Sequence, residues 1–140
     1  MKVAVRYQSR GGNTKAAAEY IANALDTVAE PIDAGVDEGT DLLIIGGGMY
    51  AFSLDEGLSA FLAGPEPVKA KEAAVFTTAG FISGTKKIKA PLEKRGVKCA
   101  DESLALKLGM KNYGGKNGAL AFEEKHKSKM DKFAKDLMDR

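Results

Sequence analysis

Six residues between a short apolar run and an amphipathic one, Ser9-Arg10-Gly11-Gly12-Asn13-Thr14, combine two hydroxyls, an amide, a guanidinium and two glycines. Those types suit an anion. Gly11 and Gly12 put no Cβ in the way of a close approach. The start of a helix carries about +0.5 elementary charge and points N–H groups at a ligand. Ser9, Asn13 and Thr14 add side-chain groups, and Arg10 adds a charge that either pairs with the anion or faces solvent. The plain alternative is a helix cap supplied by Asn13 or Thr14. No Lys-Ser or Lys-Thr follows the glycines, so the stretch is not a P-loop, and the G-x-G-x-x-G fingerprint is absent.

Two later segments complete the pattern. Gly46-Gly47-Gly48 leads into Met49, Tyr50 and Ala51, which sets a flexible backbone beside an aromatic ring and a thioether. Such a loop makes a flat apolar wall, or else Tyr50 packs into the core. Thr78-Ala79-Gly80-Phe81 is small and hydroxyl-bearing, either a plain loop or one whose main-chain N–H groups meet the edge of a ligand. One anion cradle and two backbone-rich loops on a shared edge suit a phosphorylated, planar, heteroaromatic ligand.

The elements between these segments place them on one edge. Val3 to Tyr7 reads as a strand. Residues 13–28 read as a helix with Ala17, Tyr20, Ile21, Ala24, Leu25 and Val28 on one face. "EPID" gives a short strand, and Asp41 to Gly46 a strand buried on both faces. Leu54 to Leu62 is a short helix, and Ala73 to Thr78 another buried strand. Thr85 to Arg95 is helical, with Pro91 as a kink or interruption and Gly96 as its stop. "VKC" and "SLALKL" form a divided fifth strand, and Ala119 to Met138 a closing helix. Strands alternating with helices indicate an α/β fold with a doubly wound parallel sheet. Ligands of such sheets sit beyond the carboxyl ends of the strands, where the winding reverses.

The stretch "YQSRGGNTKAAAEYIANAL" resembles the phosphate loop and first helix of the flavodoxin family, "IIGGGMYA" its second ligand loop, and "AVFTTAG" its fourth strand and following loop. This resemblance implies a three-layer, five-stranded, flavodoxin-like sheet in the order 2-1-3-4-5, with FMN as cofactor. It would put Ser9, Arg10, Gly11, Gly12, Asn13 and Thr14 around the FMN phosphate. Gly48, Met49, Tyr50 and Ala51 would flank the isoalloxazine, and Thr78, Ala79, Gly80 and Phe81 would meet its polar edge. The pattern departs from the family where Gly11 replaces a hydroxyl and Gly47-Gly48 stand for Ser-Pro. The triple glycine is expected to let one peptide turn its carbonyl toward a nitrogen of the reduced ring. The function implied is electron transfer. The alternatives are an FMN-dependent oxidoreductase with its own quinone or porphyrinogen-type substrate, lidded by Lys111 to Gly118, and a flavin-free interaction module.

The totals agree with a small globular protein. At 140 residues, with 44% apolar and 29% charged, the chain fits one domain over residues 1–140 and is not disordered. A net charge of +2 is too small to imply nucleic acid. The single Cys99 excludes an internal disulfide and fits a reducing compartment. No apolar run approaches the ~20 residues of a membrane span, and "MKVAVRY" enters a strand at once, so a cytoplasmic protein is expected. Catalytic constellations are absent: there is no Cys-x5-Arg phosphatase loop and no acidic cluster after the first strand. His126 shares helical spacing with Phe122, Met130, Phe133 and Leu137, and a packing role is expected for it. Lys86, Lys87, Lys89, Lys94, Arg95 and Lys98 face only Glu93. They form either a solvated helix face or a rim that docks an acidic redox partner near Lys86, Lys87 and Lys89.

Overall fold

The computed structural model of the chain describes residues 1–50, 52–65, 67–80, 82–109 and 122–140. In chain order its elements are β1 (Val3–Gln8), α1 (Asn13–Ala24), β2 (Ala29–Pro31), β3 (Thr40–Tyr50), β4 (Ser53–Leu54), α2 (Glu56–Ala63), β5 (Ala70–Ala79), α3 (Thr85–Lys94), β6 (Lys98–Lys107) and α4 (Glu124–Met138). The long strands run parallel in the order β2-β1-β3-β5-β6. This is the expected 2-1-3-4-5 order once β4, a two-residue arm antiparallel to the end of β3, is set aside.

Alternation along the buried strands explains the three layers. Leu42 and Ile44 of β3 point to one face, where Ala17, Ala18 and Ile21 of α1 and Met130, Phe133 and Leu137 of α4 cover them. Leu43 and Ile45 point to the other, under Leu58 and Leu62 of α2 and Ile88 and Leu92 of α3. A run apolar at every position is what a strand covered on both faces requires. Between β2 and β3 the chain forms only a 3-10 turn, Ile32–Ala34.

Several boundaries differ from the sequence expectation, each for a local reason. α1 stops at Ala24 because Asp26 turns left-handed (φ 55°), and the Thr27 N–H then closes back on the Ala22 carbonyl. Val28 is therefore 71% exposed and does not continue the apolar face. The fifth strand is one strand, β6. Its pairing with β5 skips from Cys99 opposite Ala73 to Ser103 opposite Val75, and this bulge breaks the sequence pattern without dividing the strand. Pro91 lies inside α3 without ending it. The helix closes where Gly96 takes φ +84° and the Val97 N–H reaches the Leu92 carbonyl.

At the opposite end of the sheet from the loops, Arg140 pairs with Glu72 of β5 and, at 3.5 Å, with Glu102 of β6. The Arg140 guanidinium holds the Glu72 carboxyl below its ordinary range. A lowered carboxylate contributes stability that is present above its unfolded pKa and lost as pH falls. Arg140→Ala is thus expected to lower stability by up to about 1 kcal/mol at neutral pH. The gap should shrink below about pH 4.3. Thermal melts of both chains from pH 7 to pH 3 would check this; a gap that widens in acid contradicts it. Among the described residues, no helix is long and apolar enough to cross a membrane.

Candidate functional site

Parallel strands deliver β1, β3 and β5 to the same edge, and the three segments singled out by residue type meet there. After Gln8 the chain turns through Ser9 to Gly12, and Gly12 takes φ +100°, a left-handed angle that suits glycine. The Ser9 Oγ accepts the Gly12 N–H at 3.1 Å, which shapes the turn. α1 then begins with no side-chain cap and no acidic residue in its first turn. α2, by contrast, is capped by Asp55. Buried Thr14 shares a 2.7 Å hydrogen bond between its Oγ1 and that of Thr78, which ties the start of α1 to the end of β5.

The triple glycine is not a loop. Gly46, Gly47 and Gly48 lie within β3, paired on one side with Phe76, Thr77 and Thr78 and on the other, through Gly47, with β1. The Gly48 carbonyl also accepts the Asp55 N–H at 3.0 Å. A carbonyl that turned toward the reduced ring from Gly48 would give up this bond. The glycines' lack of side chains makes room for neighbours. A Cβ on Gly46 would fall 2.3–2.4 Å from the Phe76 ring, one on Gly47 2.4 Å from a Leu58 methyl, and one on Gly48 2.8 Å from the Tyr50 hydroxyl. Met49 is also corrected. At 3% exposure it packs inward against Gly84, leaving Tyr50, half-buried at the end of β3, as the aromatic side chain of this wall. Ala51 lies outside the described residues.

Arg10 is half exposed and is held within the protein by two contacts. Its Nε donates to Asp55 Oδ2 at 2.9 Å, and its guanidinium carbon lies 4.2 Å from the centre of the Tyr50 ring. Asp55 is the site residue that sequence reasoning missed. It is 1% exposed, and its other oxygen accepts the N–H groups of Gly57 and Leu58. The signal was an aspartate just before an apolar helix, the usual mark of a cap.

In the third segment, Thr78 and Ala79 are the last residues of β5 rather than loop. The Thr78 hydroxyl is turned toward α1 by its bond to Thr14. The Ala79 and Gly80 carbonyls accept the N–H groups of Leu108 and Gly109 at 2.8 and 2.9 Å, so the chain ends after β5 and β6 are stitched together. Phe81 and the lid candidate Lys111 to Gly118 lie outside the described residues.

The remaining chemical groups are structural or peripheral. His126 is 3% exposed; its Nδ1 accepts the Glu123 N–H, and its Nε2 bonds the Lys107 carbonyl. Cys99 is half-buried, and burial first, then the Glu93 carboxylate, push its thiol up, away from a reactive thiolate. Lys86 and Lys87 are exposed in the first turn of α3, and Lys89 is partly covered.

No family model and no curated protein matches this sequence. Solved structures do match. An archaeal flavodoxin superposes with a TM-score of 0.72 at 17% identity, over 99% of this chain and 97% of that one. The two-electron reduced flavodoxin of Megasphaera elsdenii superposes at 0.58 and 16% identity, over 95% and 98%. The rubredoxin:oxygen oxidoreductase of Desulfovibrio gigas matches at 0.65 and 16% identity over 99% of this chain but only 36% of its own, so the likeness there is to one part of a longer protein. Sheet order, the three converging segments and these superpositions lead to one conclusion: the chain has the flavodoxin fold.

Proposed function

We propose that this chain binds FMN at the carboxyl edge of its sheet and carries electrons to and from a protein partner. The observation that supports it most is the α1 start: an uncapped helix N-terminus, entered through left-handed Gly12 and flanked by Ser9 and Thr14, on the same edge as Tyr50. That donor set suits a phosphate, because the helix end, the glycine backbone and the hydroxyls all favour an anion. FMN, when bound, supplies the electron-carrying chemistry, and the protein supplies binding and orientation. Ser9, Gly11, Gly12, Asn13 and Thr14 would hold the phosphate, Tyr50 would flank the ring, and the β5 end at Thr78 to Gly80 would meet its polar edge. The exposed Lys86 and Lys87, with Lys89, give the partner an electropositive rim, so an acidic protein is expected to dock there with salt-sensitive association.

Titration of the flavin-free chain with FMN and with riboflavin, followed by flavin fluorescence, tests the proposal. FMN is expected to bind more tightly by at least about tenfold, or 1.4 kcal/mol. Equal affinities would remove the phosphate from the Ser9–Thr14 segment, and no binding of either would end the flavin assignment.

A further inference from the structure

Arg10 belongs to the phosphate loop but is tied away from it, with its Nε on Asp55 at 2.9 Å and its guanidinium over Tyr50 at 4.2 Å. A flat ligand that stacks on that face of Tyr50 must displace the guanidinium. We infer that Arg10 widens this site's preference for a phosphorylated over an unphosphorylated flavin: it exchanges Asp55 for the phosphate and uncovers Tyr50 as it leaves. The inference rests on the flavin assignment above and deepens it.

The geometry of the pair supports the exchange. The Arg10 side chain is 52% exposed and the Asp55 side chain 2%, so water screens the arginine end and the pair opens easily. Asp55 is not stranded when Arg10 departs. Its Oδ1 keeps the N–H groups of Gly57 at 2.8 Å and Leu58 at 3.2 Å, at a helix N-terminus that favours its charge. Arg10 sits between Ser9 and Gly11, so its side chain can swing onto a phosphate held by the same loop. Arginine–phosphate contacts are charge-assisted, like the Asp55 contact given up, and are often bidentate where that contact is a single bond. Riboflavin offers no such return for opening Tyr50.

The experiment compares FMN and riboflavin affinities, by flavin fluorescence, for the wild type, Arg10→Ala, Arg10→Lys and Asp55→Asn. Arg10→Ala is expected to weaken FMN by about tenfold and to leave riboflavin equal or tighter, so the preference for FMN narrows by at least that factor. Arg10→Lys should restore part of it, because a lysine keeps the charge without the planar fork. Asp55→Asn keeps a good capping residue while releasing Arg10, and is expected to tighten FMN. In the wild type, the Arg10 Nε–H resonance should shift when FMN is added. A preference for FMN as large in Arg10→Ala as in the wild type overturns the exchange and leaves the flavin assignment standing. A wild type that binds neither flavin overturns both.

Discussion

Gly46→Ala is expected to lower the stability of this chain by about 3 kcal/mol, at the upper end of what overpacking a core usually does. The added Cβ would stand 2.3–2.4 Å from three atoms of the Phe76 ring, which is fully buried between the sheet and α1. A ring in that position has no open space to rotate into, and β3 is held between β1 and β5, so neither side yields cheaply. Gly47→Ala meets the end of the Leu58 side chain instead, at 2.4 Å, and a terminal methyl moves more readily. Its cost should be smaller. Urea unfolding of the two variants gives the comparison, and adding Phe76→Leu to Gly46→Ala should recover part of the loss. A Gly46→Ala chain with an unchanged midpoint would show that the glycine is not there to admit Phe76.

His126→Ala is expected to destabilise the chain by about 2–4 kcal/mol. With its proton on Nε2, the histidine accepts the Glu123 N–H at Nδ1 and donates to the Lys107 carbonyl, both at 3.3 Å. It thereby caps α4 and pins that helix to the end of β6, while its ring meets Phe122 edge-on at 6.3 Å. Truncation leaves a cavity and two polar groups without their partner. His126→Phe separates these effects, because it restores ring volume but neither bond. Urea midpoints for both variants are the measurement. If His126→Phe matched the wild type, packing alone would account for the residue.

The contrast between these two positions shows what a sequence makes legible. His126 declared its place through spacing, since Phe122, Met130, Phe133 and Leu137 share its helix face; its two hydrogen bonds were not visible. The triple glycine declares a special backbone that reads as a loop, yet it lies within β3. Glycine signals either freedom at a turn or space for a neighbour, and the neighbours here, Phe76 and Leu58, come from other elements. Met49 was misplaced for the same reason, because its burial depends on Gly84.

By itself the sequence determined the order of the five parallel strands and the helices, the parallel sheet, and the glycine-bearing junction between β1 and α1, but not the short arm β4. Those features are written in periodicity and turn chemistry over a few adjacent residues. The tertiary structure alone decided that Thr14 meets Thr78, 64 residues away, and that Arg10 reaches Asp55, 45 residues away. Contacts of that separation exist only once parallel strands bring their carboxyl ends to one edge, so no local pattern encodes which side chain Arg10 will find there.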